Sequence, residues 1–409
     1  MKIQGSTPRG GCIPLLIIAV LLIFIPIGFM LGRDTVASRL AETALAQMPT
    51  VTPTPDSVVW TGQSLIAGLN LVYAETDLDR DTATIWVAPV KNLSLRKQIA
   101  VLAHASNRPI DGLASPDSSE IALVRFPPGT PASVDQGPAS ELWLAKSDGR
   151  QPFRVASQAA FLGGWSPDGR RLVFARRNSD PAPTHIELRQ YDAEKGKTSS
   201  LLNDPRFLNL QPLGWNPTDG HFYLATVSKA GQWTVLDIDP DSLQVDTRLE
   251  LPIDQGVRNL SLSPAGGQLL VEIDQGEQTL LAAISLDGST QQLLASAPGQ
   301  ASGDPFNALW APDGKGLILR HLPDGSPIQF DQIDLANRQV KPLAFDPTST
   351  APALVPLSWS PDGAWLVLQP PAAVSEPILY LQEIDSGKLV IFPRSSASKV
   401  LSFLGWVEK

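Results

Sequence analysis

One phrase recurs along this chain, and its spacing restricts the fold more than any other feature. It reads GLASPDSSEIALVRF at 112–126, GGWSPDGRRLVFARR at 163–177, LGWNPTDGHFYLATV at 213–227, LSLSPAGGQLLVEID at 260–274, ALWAPDGKGLILRHL at 308–322 and LSWSPDGAWLVLQPP at 357–371. The prolines Pro116, Pro167, Pro217, Pro264, Pro312 and Pro361 stand 51, 50, 47, 48 and 49 residues apart. One insertion, Thr218, and one lost aspartate, at Ala265, are the serious departures. So steady a period denotes one supersecondary unit stacked on copies of itself.

Each copy has a legible physics. Proline presets φ at the second position of a turn, aspartate bonds nearby backbone amides, and glycine follows where φ is positive. Short apolar strands flank the turn, such as RRLVFA after it. A second hairpin lies further on, as in ELWLAKSDGRQPFRV (141–155), LLAAISLDGSTQQLL (280–294) and LYLQEIDSGKLVIF (379–392). Four antiparallel strands, A to D, in about 49 residues make a propeller blade. At the ends, LNLVYAETDLDRDTATIWVAPV (69–90) supplies strands B and C without a strand A, and LSFLGW (401–406) is a strand A with nothing after it but VEK. The economical reading is an all-β, seven-bladed propeller over residues 56–409, the last strand completing the first blade and closing the ring. Six blades, or eight with SVVW (57–60) used differently, are the alternatives.

The signature W-[SA]-P-D-G-x-x-[IL]-[VI]-[FL] resembles the WD-type repeat of TolB-like propellers and of the propeller half of prolyl-oligopeptidase-like enzymes. The resemblance covers about 350 residues and concerns the fold, a scaffold that hosts many functions. For a TolB relative it implies a soluble periplasmic protein with six blades and a separate N-terminal α/β domain. This chain departs on both counts, with seven blades and an apolar segment ahead of them. For a prolyl-oligopeptidase relative it implies a hydrolase domain, but no G-x-S-x-G nucleophile motif occurs.

That apolar segment begins after a short tail, residues 1–11. From Gly10 to Gly32 no residue is charged, and about 20 apolar residues suffice to cross a bilayer as a helix. The run exceeds the roughly 7–15 residues of a signal-peptide core, so residues 12–32 read as an uncleaved transmembrane helix. Lys2 and Arg9 precede it, while Arg33 and Arg39 follow together with Asp34 and Glu42. The slight bias in the positive-inside count puts the propeller on the extracytoplasmic side of a cell membrane. Residues 33–55 read as a linker, ending in a stretch where Pro49, Pro53 and Pro55 favour extended geometry.

Chemistry is sparser than architecture. A net charge of −9 excludes a nucleic-acid binder that works by neutralising phosphates. The single cysteine, Cys12, excludes a disulfide framework and a cysteine zinc site within the chain. Asp117, Asp168, Asp219, Asp313 and Asp362 recur once per blade as turn caps rather than as a carboxylate ring. Trp165, Trp215, Trp310, Trp359 and Trp406 share one position and read as packing between blades, with sugar-stacking platforms as the alternative. Two Asp-x-Asp-x-Asp runs, Asp77/Asp79/Asp81 and Asp237/Asp239/Asp241, lack the glycine and glutamate of a calcium loop. His104, His185, His221 and His321 fall at unrelated places in the repeat. No metal site, cofactor or catalytic group is therefore expected.

One pattern is less bland. Just past strand B, three blades carry arginine at the matching position: Arg125, Arg176 followed by Arg177, and Arg320 followed by His321. The B–C loops leave one face and vary in length, which is where binding usually resides on a rigid scaffold. These five residues are the candidate site for an anionic ligand or an acidic partner on a domain with 28 Lys and Arg against 39 Asp and Glu from residue 56 onward. The strand-A segments PLGW, LSLS, NALW, PLSW and FLGW are apolar and small, which favours binding of a protein, peptide or glycan. The alternative is an enzyme of lactonase, lyase or glycosidase type with its site in the central channel.

Overall fold

Among the described residues strand follows strand, because Pro-Asp-Gly turns and their relatives punctuate the repeat, and a single 3-10 turn, Leu93–Leu95, is the one helical element there. The computed structural model describes residues 58–60 and 67–409 except 106–107, 131–139, 147–151, 179–184, 206–207, 229–230, 252–255, 299–305, 322–328, 344–353 and 371–377. The residues read as tail, transmembrane helix and linker lie outside this set. Among the described residues no helix is long and apolar enough to cross a membrane.

The strands in chain order are β1 (Val58–Trp60), β2 (Leu69–Asp77), β3 (Thr82–Pro89) and β4 (Lys97–Ala103), followed by six runs of four. Blade 2 is β5–β8 (Asp111–Ala114, Glu120–Arg125, Glu141–Lys146, Phe153–Ser157), and blade 3 is β9–β12 (Ala159–Trp165, Arg171–Asn178, His185–Asp192, Lys197–Leu202). Blade 4 is β13–β16 (Leu208–Trp215, Phe222–Val227, Trp233–Ile238, Val245–Glu250), and blade 5 is β17–β20 (Gly256–Leu262, Gln268–Asp274, Gln278–Ser285, Gln291–Pro298). Blade 6 is β21–β24 (Leu309–Trp310, Gly316–His321, Gln329–Asp334, Gln339–Pro342) and blade 7 is β25–β28 (Val355–Trp359, Trp365–Gln369, Tyr380–Glu383, Leu389–Ile391), after which β29 (Lys399–Glu408) ends the fold. Each run of four is one antiparallel sheet in sequence order, and the seventh sheet runs β1-β4-β3-β2-β29.

Seven blades, closed by the last strand, is the outcome read from the repeat. β29 pairs with β2 along its whole length, from Leu69↔Glu408 through Leu71↔Trp406 to Asp77↔Lys399. The SVVW segment makes no eighth blade. Its β1 pairs with β4 at the outer edge of blade 1, Val58 opposite Leu102 and Trp60 opposite Ala100, as a fifth strand. Blade 1 is thus clasped on its inner edge by the end of the chain and on its outer edge by the segment that precedes it.

Among the described residues there is no single core: seven buried clusters occur there, each shared between neighbouring blades. Between blades 3 and 4, for example, Val173, Ala175 and Leu188 meet Phe222, Leu224 and Leu236. Middle strands are covered on both faces, so all six residues of β6 are buried, while all four of the outer strand β24 are exposed. The repeated tryptophans supply the mortar between blades. The indole N–H of Trp165 donates to Leu113 O at 3.0 Å, that of Trp215 to Gly164 O at 3.0 Å, and that of Trp406 to Ser358 Oγ at 3.0 Å. Each reaches the residue just before the equivalent position in the preceding blade, so one side chain fixes both spacing and register.

The repeated aspartates are turn caps. Asp168 Oδ1 accepts from Ser166 Oγ at 2.6 Å and from the Arg170 amide at 3.1 Å, and Asp117 and Asp362 repeat the arrangement. The turn glycine is demanded twice over at Gly169. Its φ is +72°, and a Cβ there would lie 2.6 Å from Asp117 Cγ in the turn of the preceding blade.

Candidate functional site

Antiparallel order puts the A–B turns and C–D turns on one face and the B–C loops and blade-to-blade connections on the other. The two faces differ in regularity. The A–B turns are residues 115–119, 166–170, 216–221, 263–267, 311–315 and 360–364, nearly invariant in length. The B–C connections run from three residues (275–277) through 179–184 and 370–379 to 126–140. One face is standardised and the other individual.

The arginines at the ends of the B strands reach this second face, but they do not stand there as one cationic rim. Arg125 is 2% exposed. Its Nε and Nη2 donate to Glu141 Oε2 at 2.9 and 2.8 Å, its Nη1 donates to Ala103 O at 2.9 Å, and its guanidinium stacks 4.7 Å from the Trp143 ring. Arg125, a candidate for contacting a ligand, is thus committed to a buried pair within the fold. Strand register sets Arg125 opposite Glu141 across the B–C hairpin, and burial between blades makes that pairing obligatory. Arg154 approaches the same carboxylate from β8 at 3.0 Å, and the Trp143 indole N–H donates to it at 2.9 Å. Burial alone would raise the Glu141 carboxyl, but the Trp143 hydrogen bond and the Arg125 charge hold it below the ordinary carboxylate range.

Blade 3 repeats the device in a wetter setting. Arg176 lies opposite Glu187 and donates to it at 2.7 Å, and Arg189 donates to the other oxygen at 2.8 Å. Here too burial would raise the carboxyl, and the Arg176 bond leads the contributions that lower it. Arg176 is about one-third exposed while Glu187 is buried. Arg177 is half-buried, its amide bound to Gln158 O at 3.0 Å. Arg320 is half-buried opposite Phe330 in blade 6. His321 ends β22, and its side chain lies outside the described residues. The structure gathers the arginines onto one face without gathering them into one pocket.

Blade 1 puts a glutamate where blades 2 and 3 put arginine. Glu75 is fully buried and accepts from Arg96 at 2.5 Å and from the Ser395 amide and hydroxyl at 2.9 and 2.7 Å. Arg96 also donates to Tyr73 Oη and Pro393 O. This network ties blade 1 to the connection leaving blade 7. Nearby, His104 is buried and neutral: its Nδ1 accepts the Phe126 amide at 3.2 Å, so its Nε2–H donates to Arg108 O at 2.9 Å. Burial pushes its pKa down to about 4.

The opposite face holds a cluster that reading the sequence missed. Asp219, His221 and Asp237 in blade 4 bring one ligand-type atom each to within 4.8 Å of one another. His221 Nδ1 lies 2.7 Å from Asp237 Oδ1, and the Tyr223 hydroxyl lies 3.0 Å from both Asp219 Oδ2 and Asp237 Oδ2. The signal was present in the Thr218 insertion, which displaces Asp219 relative to the other turns, and in the cross-strand pairing of Tyr223 with Asp237. Neither points anywhere until register is known.

No protein-family model matches the chain, and no curated sequence does. Several solved structures are similar. TolB from Acinetobacter baumannii is 18% identical over 86% of this chain and 82% of its own, with a TM-score of 0.47. An oligogalacturonate lyase in complex with manganese is 12% identical over 80% and 85%, TM-score 0.52. A prolyl endopeptidase is 14% identical over 90% of this chain and 55% of its own, TM-score 0.54. The last two likenesses establish the propeller fold and, at these identities, the fold alone.

Proposed function

We propose that this chain is a membrane-anchored, extracytoplasmic β-propeller that binds a protein, peptide or glycan partner through the face carrying its B–C connections. The observation behind the reading is the contrast between faces: uniform A–B turns against B–C connections that range from 275–277 to 126–140. A scaffold alone needs no such individuality on one side, whereas a binding face uses it for specificity. The charged residues of the described inner strands favour binding over catalysis. Besides Asp111 and Glu408 they are Arg258, tied to Asp274, and Lys399, tied to Glu75 and Asp77. The anchor rests on the uncharged run within residues 12–32 and the orientation on its flanking charges.

Photo-reactive side chains in the full-length protein, in membranes of the producing cell, test the face. Placed at Gly129 and Asn178, they are expected to give discrete adducts. Placed at Lys315 and Ala364 in the A–B turns, they are expected to give none. Equal adducts from both pairs would overturn the assignment. A reporter fused after Lys409 that works only in an oxidising compartment tests the orientation, and activity of a cytoplasm-only reporter reverses it.

A further inference from the structure

We propose that blade 4 carries a divalent-cation site formed by Asp219 and Asp237 carboxylate oxygens and His221 Nδ1, on the face opposite the B–C connections. The three atoms lie within 4.8 Å of one another, a separation that modest side-chain rotation converts to coordination at about 2.0–2.2 Å each. Asp219 and His221 come from the A–B turn, two residues apart, and Asp237 from the end of β15 across the sheet. Asp237 is mostly buried and His221 one-third exposed, so the set is held from below and open from above.

The support beneath the site is a buried tyrosine. Tyr223 is 1% exposed, and its hydroxyl points between the two carboxylates at 3.0 Å from each. It has one hydrogen for two anionic acceptors. Asn216 Nδ2 steadies Asp219 Oδ2 at 2.9 Å, and the Asp219 Oδ1 atom is held by the His221 amide at 2.9 Å. Such outer hydrogen bonds orient ligands in metal sites.

Comparison among the blades separates this cluster from the structural background. The pair Tyr223↔Asp237 corresponds by register to Val72↔Val87, Ala122↔Leu144, Val173↔Gln190, Leu270↔Ala283, Ile318↔Gln332 and Val367↔Leu381. Every other B-strand partner is apolar and no other C-strand partner is acidic. The inserted Thr218 and His221 fall at the same spot. Four departures from a repeat, converging on one point, are not needed to build a blade.

The donor set names the class of ion. One imidazole nitrogen with two carboxylates suits a first-row divalent ion such as Zn²⁺ or Mn²⁺. Ca²⁺ asks for about six to eight oxygen ligands and takes no imidazole preference. Three protein ligands leave further positions to solvent or to a ligand presented from outside.

Equilibrium dialysis of the full-length, chelator-stripped protein against Zn²⁺ or Mn²⁺, with Ca²⁺ as comparison, tests this. One equivalent of Zn²⁺ or Mn²⁺ per chain is expected. His221→Ala and, separately, Asp237→Asn should each weaken it by about tenfold or more, and Tyr223→Phe by about tenfold. Asp79→Asn, in the other Asp-x-Asp-x-Asp run, should leave it unchanged. Melting temperatures of the metal-free variants near that of the parent establish that the loss is one of ligands. Substoichiometric uptake by the parent, undiminished binding in both His221→Ala and Asp237→Asn, or preference for Ca²⁺ would each overturn the proposal.

Discussion

Arg125 and Arg176 occupy matching places in successive blades, yet the structure predicts very different consequences for their removal. Arg125→Ala deletes two charge-assisted bonds to buried Glu141, the bond to Ala103 O and the stack on Trp143. Glu141 keeps only Arg154 and the Trp143 N–H. Breaking one side of a buried pair costs about 3–5 kcal/mol. Arg176 is about one-third exposed, and Glu187 retains Arg189 after its loss, so solvent screening limits that cost to about 1 kcal/mol or less. With an unfolding entropy of about 2 cal/mol/K per residue over a domain of roughly 340 residues, the melting temperature should fall by about 4–7 °C for Arg125→Ala and by about 1 °C for Arg176→Ala. Thermal unfolding followed by circular dichroism reads both. Repeating Arg125→Ala in a Glu141→Ala background should shrink its penalty severalfold, since the stranded charge is then gone. Equal shifts for the two arginines, or an undiminished penalty without Glu141, would refute the reasoning.

Deleting residues 401–409 removes buried Leu401, Leu404 and Val407 and unpairs the inner edge of β2, a loss of about 5–9 kcal/mol from the aliphatic side chains alone, so the truncated protein should aggregate or be degraded; a soluble form with unchanged melting temperature would sink the closure. His104 is protonated more readily in the unfolded chain, at about 6.5, than in the fold, at about 4. Its neutral burial therefore contributes stability above pH 6.5 that is lost as pH falls toward 4, by up to about 3 kcal/mol, and His104→Gln should flatten the fall in melting temperature between pH 7 and 5; an equal slope in both proteins would acquit the imidazole. Gly169→Ala and Gly196→Ala both force alanine to positive φ, but only the first drives a Cβ into Asp117, so it should cost about 1–3 kcal/mol more by chemical denaturation. Equal costs would mean that the turns of adjacent blades do not touch as described.

What was legible in the sequence followed from locality. The Pro-Asp-Gly turns, the four-strand unit and its count depend on residues a few positions apart, and the periodic tryptophans announce the wedge between blades. Even the closure was readable, because LSFLGW repeats a strand A that the first blade lacks. Cross-strand partnership was not. Glu141 lies 16 residues from Arg125 beyond a long connection, and only register places them opposite one another. The three arginines consequently read alike, although one is buried, one is partly wet and the third faces a phenylalanine. For the same reason His221 read as one of four scattered histidines and Asp237 as part of an acidic run. β1 escaped because a fifth strand on an outer edge follows no rule of the repeat.

The closing ladder between β2 and β29 also sets a competition during folding. Leu71 and Trp406 are about 335 residues apart, but loop entropy grows only logarithmically, so meeting costs about 2 kcal/mol more than pairing strands one blade apart. The encounter is thermodynamically cheap and kinetically late. Until it happens, β2 presents an unpaired edge bearing Leu71 and Tyr73, and the same strand β29 from a second molecule fits it equally well. Which one arrives first depends on the effective concentration of a molecule's own end against the concentration of its neighbours. Dilute chains should close on themselves, whereas crowded ones should exchange their last strands into domain-swapped rings, each blade 1 completed by another molecule.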